Sequence, residues 1–132
     1  MPLNVPDVGE KIALEAFVNK TAPQDLILRL YQNNITPSDT DVAATFTECT
    51  FAGYASILLT GASWGVYVAG AVANSERQFI RSSSGVLQAV YGYYLTQQTS
   101  GILAWAERDA AAPINTASLN DTVKVTPTIG AD

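Results

Sequence analysis

Histidine is absent from this chain, and with it goes any Ser-His-Asp or Cys-His arrangement for nucleophilic catalysis. Cysteine occurs once, as Cys49, so no intrachain disulfide can form and no imidazole stands ready to activate the thiol. In the run Thr47-Glu48-Cys49-Thr50-Phe51 it reads as a small, half-buried strand residue. Zinc needs more than one cysteine and scattered carboxylates. Charge is also scarce. Only 14 % of the residues are charged, well below the usual quarter, so the surface must be finished with Thr, Ser, Asn, Gln and Ala. A surface of that kind suits contact with another protein. The charge present sums to −5, which disfavours phosphate backbones and argues against a nucleic-acid partner. No apolar run approaches the ~20 residues of a membrane span, so no membrane is expected. The start, Met1-Pro2-Leu3-Asn4-Val5-Pro6, lacks the basic cluster and apolar block of a signal peptide. The expectation is a soluble protein made in the cytoplasm.

What the chain does have is apolar residues, 48 % of its 132, enough for one domain with a proper core and too few for two. The whole of 1–132 reads as a single β-domain, with 1–24 as an N-terminal arm and short helix. Its organising stretch is a pair of aromatic-rich runs, residues 90–97 (VYGYYLTQ) and 102–107 (ILAWAE), joined by Gln98-Thr99-Ser100-Gly101. Their Val, Ile, Tyr and Trp content and the Ser-Gly turn predict an antiparallel β-hairpin. Strict alternation puts Tyr91, Tyr93 and Leu95 on one face and Gly92, Tyr94 and Thr96 on the other. By the same rule Trp105 lies opposite Ile102 and Ala104. A third run, 122–128, alternates Val123 and Val125 against Thr122, Lys124 and Thr126, as a strand with one wet face would.

Upstream, Pro2 and Pro6 predict an extended lead-in. Asp7 is expected to cap a helix over 10–17, with Ile12, Ala16 and Phe17 as its apolar stripe. Residues 25–31 predict a strand with Leu26, Leu28 and Leu30 on one face, and 32–40 (QNNITPSDT) a turn-rich loop. Further strands are expected over 45–51, 54–60, 64–69 (with Trp64, Val66 and Val68 on one face) and 77–81. A small, flexible stretch at 70–75 and a loop at 82–85 separate them. Seven or eight short strands at this spacing predict an all-β fold, an antiparallel sandwich or barrel-like domain.

Chemistry finds little to work with. Asp39 and Asp41, near Asn33, Asn34 and Ser38, make an oxygen-rich loop, but without the spacing of a calcium-binding loop it reads as a solvated turn. Glu107 and Asp109 flank Arg108 and read as the exposed end of a strand rather than as the paired carboxylates of a glycosidase. Ser82-Ser83-Ser84-Gly85 lacks the lysine of a phosphate-binding loop. No metal, cofactor or catalytic residue is expected. The candidate interface residues are Tyr91, Tyr93, Tyr94 and Trp105, which combine apolar area with polar handles, and Thr122, Lys124 and Thr126 on the wet strand.

Six stretches carry a family likeness: VPDVGE at 5–10, LILRLYQNNITPSDTD at 26–41, GYASILLTGASW at 53–64, VYGYYL at 90–95, SGILAWAER at 100–108 and NDTVKVTPTI at 120–129. In these the chain resembles a group of small proteins encoded among the structural genes of tailed bacteriophages; residues 66–88 resemble it least. The resemblance implies a virion component without fixing which one, and assigns no site residues; the missing catalytic constellation makes it a non-enzymatic one. With the low charge and small size, the expectation is a capsid decoration or cement protein on the outer surface of the capsid. It would bind the major capsid protein lattice as a homo-oligomer, a trimer matching local threefold symmetry. The proline-containing N-terminus and the loops 32–40 and 109–120 would serve as its arms. The alternative is a tail or fibre component, or an assembly adaptor, whose aromatic patch binds a host surface glycan.

Overall fold

The computed structural model of the chain describes residues 5–130. The lead-in residues Met1 to Asn4, and Ala131 and Asp132, lie outside them. In chain order the elements are helix α1 (Asp7–Phe17) and strands β1 (Leu26–Tyr31), β2 (Ile57–Leu59), β3 (Ala71–Ala73), β4 (Arg77–Ile80) and β5 (Gln88–Val90). They continue with β6 (Gly92–Gln97), β7 (Leu103–Arg108), β8 (Ile114–Thr116), β9 (Thr122–Val125) and β10 (Thr128–Gly130). The fold is mostly β with one helix, and every ladder is antiparallel.

The alternating leucines of β1 make it the centre. It pairs with β6 along its full length, from Leu26 opposite Gln97 to Tyr31 opposite Gly92, and with β2 over three residues. The expected hairpin is β6 and β7, which gives a four-stranded sheet of order β2-β1-β6-β7. Three two-stranded ribbons, β10-β3, β4-β9 and β5-β8, complete the fold without closing a barrel. Leu28, Leu30, Tyr93, Leu95 and Trp105 on one sheet face pack with Phe79, Val90, Val123 and Val125 from the ribbons, a sandwich-like core. The other face buries Tyr31, Tyr94, Leu103 and Ala106 beneath Phe46, Ile35, Ala43 and Val8. A sheet covered on both sides carries apolar residues at consecutive positions, which is why β6 is buried throughout.

Two irregularities break the expected alternation. The run 90–97 splits at Tyr91: β5 leaves to pair with β8, and Tyr91 joins the Tyr31–Tyr94 cluster instead of sharing a face with Tyr93 and Leu95. In β7, Trp105 faces Leu95 while Leu103 faces Thr96, which leaves Ala104 as the extra residue of a β-bulge. Leu103 and Trp105 therefore end in different cores, although strict alternation would have put them together.

Helix α1 packs on this bulge. A Cβ at Gly9 would run into the Ala104 carbonyl, so only glycine allows so close an approach. The helix begins earlier than expected: Asp7 is its first residue and makes no capping bond, while the Pro6 carbonyl accepts from Gly9 and Glu10 N–H at 2.7 and 2.9 Å. Ile12 and Ala16 are half-buried as expected, but Phe17 is 89 % exposed. At i+5 from Ile12 it has turned about 140° from the buried face.

Three expected strands are replaced or shortened. Residues 45–51 make only one bridge, Glu48 to Tyr31. Side-chain amides take over the rest of the ladder: Asn33 bonds the Thr45 carbonyl and the Thr47 N–H, Gln32 the Glu48 carbonyl, and Gln88 the N–H groups of Thr50 and Phe51. Of 54–60, only Ile57–Leu59 is strand. Residues 64–69 form one arm of a tight hairpin rather than a packed strand, and the stretch 70–75, expected to be flexible, supplies β3.

Candidate functional site

Three of the four aromatic residues expected at an interface are core. Tyr93, Tyr94 and Trp105 are all buried. Tyr94 stacks on Phe46 with centroids 4.9 Å apart, and Tyr31 tilts against both rings. The Tyr93 hydroxyl donates to Glu107 Oε2 at 2.8 Å and accepts from Thr128 N–H at 3.3 Å, and burial pushes its phenol well above the usual tyrosine range. None of the three presents a ring face at the surface, because the sheet that holds them is covered on both faces. Only Tyr91 reaches the surface, half-buried, with the Arg108 guanidinium 5.3 Å from its ring centroid.

The wet strand keeps its expected sides. Val123 and Val125 are buried, Lys124 and Thr126 are exposed and Thr122 is half-buried. On the neighbouring strand Gln78 stands opposite Lys124 and the half-exposed Ile80 opposite Thr122, so this ribbon offers a face with a single charge. Lys124 and Thr126 meet Tyr93, Glu107, Arg108 and Asp109 around a cavity of about 220 Å³. That set is suited to ion pairing. Its buried hydroxyl is engaged by the Glu107 carboxylate. Among the described residues no group of three or more acidic, cysteine or histidine side chains is gathered as a metal would need. The Asp41 carboxylate is taken by the Ser38 N–H and hydroxyl, at 2.8 and 3.0 Å.

The loops expected to act as arms are tied down. Arg108 Nη1 donates to Asn34 Oδ1 and the Ile35 carbonyl, both at 3.0 Å, and Tyr31 Oη donates to the same carbonyl. Within 109–120, β8 pairs with β5, and Asp121 caps the Ala117 and Ser118 N–H groups. Those two bonds hold the half-buried Asp121 carboxyl below its usual range.

Reading the sequence missed the most exposed apolar groups. They lie at the end of α1 (Leu14, Phe17, Val18), at Val66-Tyr67-Val68 and at Val86-Leu87. The last pair sits on a loop held by the buried Arg81. Its Nε, Nη1 and Nη2 donate to the carbonyls of Ser83, Thr116 and Val86 at 2.8, 3.0 and 3.1 Å. The Ser84 hydroxyl then accepts from the N–H of Leu119, another exposed residue, so three apolar side chains share one braced tip. A signal for the middle patch was available, since residues 49–75 contain no charged side chain.

A scan against protein-family models finds no match for the chain, and a search among curated proteins finds none either. No helix among the described residues is long and apolar enough to cross a membrane.

Proposed function

We propose that this chain is a non-enzymatic structural protein of a tailed-phage virion, a decoration or cement protein that binds the outside of the major capsid protein lattice as a homo-oligomer. The observation that carries the reading is the surface. Large apolar side chains stand exposed at the end of α1, on the 64–74 hairpin and on the loop of Val86 and Leu87, on a low-charge exterior, and the hairpin and the loop are braced from within. A monomer whose surface is solvated by charge has no use for such patches, whereas a lattice-bound protein covers them. Bracing matters because a rigid contact loses little conformational freedom on binding. The glycan-binding alternative loses its main support, since the aromatic platform it required is buried.

Purified protein mixed with capsid shells lacking it tests the proposal by co-sedimentation. The expected result is saturable binding in fixed ratio to the shell subunits, with binding lost on Val86→Asp at the Arg81-braced tip. Shells that stay bare at saturating protein would overturn it.

A further inference from the structure

Residues 64–74 form a projecting finger. Val68 and Ala71 exchange both backbone hydrogen bonds, at 2.9 and 3.0 Å, around Ala69 and Gly70, whose φ values are 48° and 88°. Two positive-φ residues between paired strands make the turn that matches strand twist, and glycine at the second position relieves it. At the root, Asn74 is buried. It donates to Ser63 Oγ at 2.8 Å and accepts from Arg77 Nη2 at 2.9 Å, while the Trp64–Asn74 bridge closes the hairpin. Along the outer arm Val66, Tyr67 and Val68 are 82, 71 and 64 % exposed. A strand lying on a core would hide alternate residues. Three exposed in succession mean that this arm stands clear on both faces. The arm is an open edge with none of the lysines or prolines that protect such edges.

Beside the finger lies an apolar hollow of about 720 Å³ under helix α1. Ile12, Ala13, Ala16, Leu26 and Val72 line it, Glu10 is its only charged residue, and Tyr67 itself forms part of the rim. Ala13, exposed on the helix, lies at the same hollow. An apolar knob and an apolar hollow thus lie side by side.

The geometry points to a second copy of this chain as the occupant, in a twofold contact where each finger enters the other's hollow. Three arguments select that occupant. Knob and hollow share one patch, as a self-complementary twofold interface requires, whereas a threefold ring needs them on different sides of the protomer. Neither carries a charge that would face its own copy across the axis, except Glu10 at the hollow's margin. Val66, Tyr67 and Val68 of the finger expose on the order of 400 Å² of side-chain surface, about half of the ~800 Å² per partner of a standard interface, to which the walls of the hollow add. The contact is independent of shell binding, so the two stand or fall separately.

Sedimentation velocity on the full chain across a wide concentration range tests the inference, with Tyr67→Asp as the knob variant and Ala13→Glu as the hollow variant. Val86→Asp, at the Arg81-braced tip, is the control. All three positions are exposed, so the variants keep the parent's circular dichroism and unfolding midpoint. The parent is expected to dimerise, Tyr67→Asp and Ala13→Glu to weaken the dimer about 30-fold or more, as loss of a central aromatic contact does, and Val86→Asp to leave it unchanged. Several results would overturn the inference: a monomer at every concentration, a trimer, or a dimer indifferent to Tyr67→Asp. So would a monomeric parent whose shell binding is abolished by Tyr67→Asp, because the finger's occupant would then be the lattice.

Discussion

Replacing Gly9 by alanine reverses the usual sign of a helix substitution. Within a helix Gly→Ala gains roughly 0.5–1 kcal/mol, because glycine gives up more backbone freedom on folding. Here the new methyl would overlap the carbonyl oxygen of Ala104 and come within 3.2 Å of Val5 Cγ1. The first obstacle is backbone in a paired strand and cannot rotate aside, so the helix must lift from β7. Overpacking of this kind costs about 1–3 kcal/mol, so a net loss of about 1 kcal/mol is expected. For a domain of this size that lowers the melting temperature by roughly 3–5 °C. Urea titration with a common slope measures it. Ala13→Gly, at an exposed position one turn further along, supplies the propensity effect alone, about 1 kcal/mol. If Gly9→Ala proves more stable than the parent, α1 does not sit against the Ala104 bulge as described.

Other substitutions probe the core and the braced loop. Leu28→Ala, at a fully buried site between β2 and β6, is expected to cost ~2–5 kcal/mol in the same titration; a loss under about 1 kcal/mol would contradict its burial. Arg81→Met leaves the carbonyls of Ser83, Thr116 and Val86 without their donor and should cost about 2–4 kcal/mol. It should also speed hydrogen exchange at Gly85, and unchanged exchange there would show that Arg81 does not hold the loop. Burial pushes the phenols of Tyr31 and Tyr94 up to about 12. A folded-state value above the unfolded one means that their contribution to stability is complete below about pH 10 and is lost as pH rises towards 12. Urea midpoints should fall across that window and fall less in Tyr31→Phe and Tyr94→Phe; equal slopes in all three would refute the assignment.

The fold was legible where a single signal dominated. Alternating leucines in β1, aromatic and β-branched runs in β6 and β7, and Val123 and Val125 in β9 each placed a strand. Strict alternation failed at Tyr91 and Ala104 because a split strand and a bulge shift side-chain phase without leaving a mark in composition. Residues 45–51 looked like a strand because Phe, Thr and Cys suit one, but amides from Asn33, Gln32 and Gln88, distant in sequence, satisfy their backbone instead. At the candidate site the polar strand was readable because Lys124 and the threonines alternate with valines. The aromatics were not, because tyrosine and tryptophan serve core and interface equally well and only the second covering layer decides between them. The finger could have been suspected from the charge-free stretch 49–75, yet its projection depends on the turn at Ala69-Gly70.

The most direct test of a capsid role is the copy number of this protein in intact virions, counted against the major capsid subunit by quantitative mass spectrometry. A decoration protein is expected at a fixed simple ratio to that subunit, and therefore in many copies per particle. A handful of copies, co-purifying with tails after the capsid is removed, would contradict it.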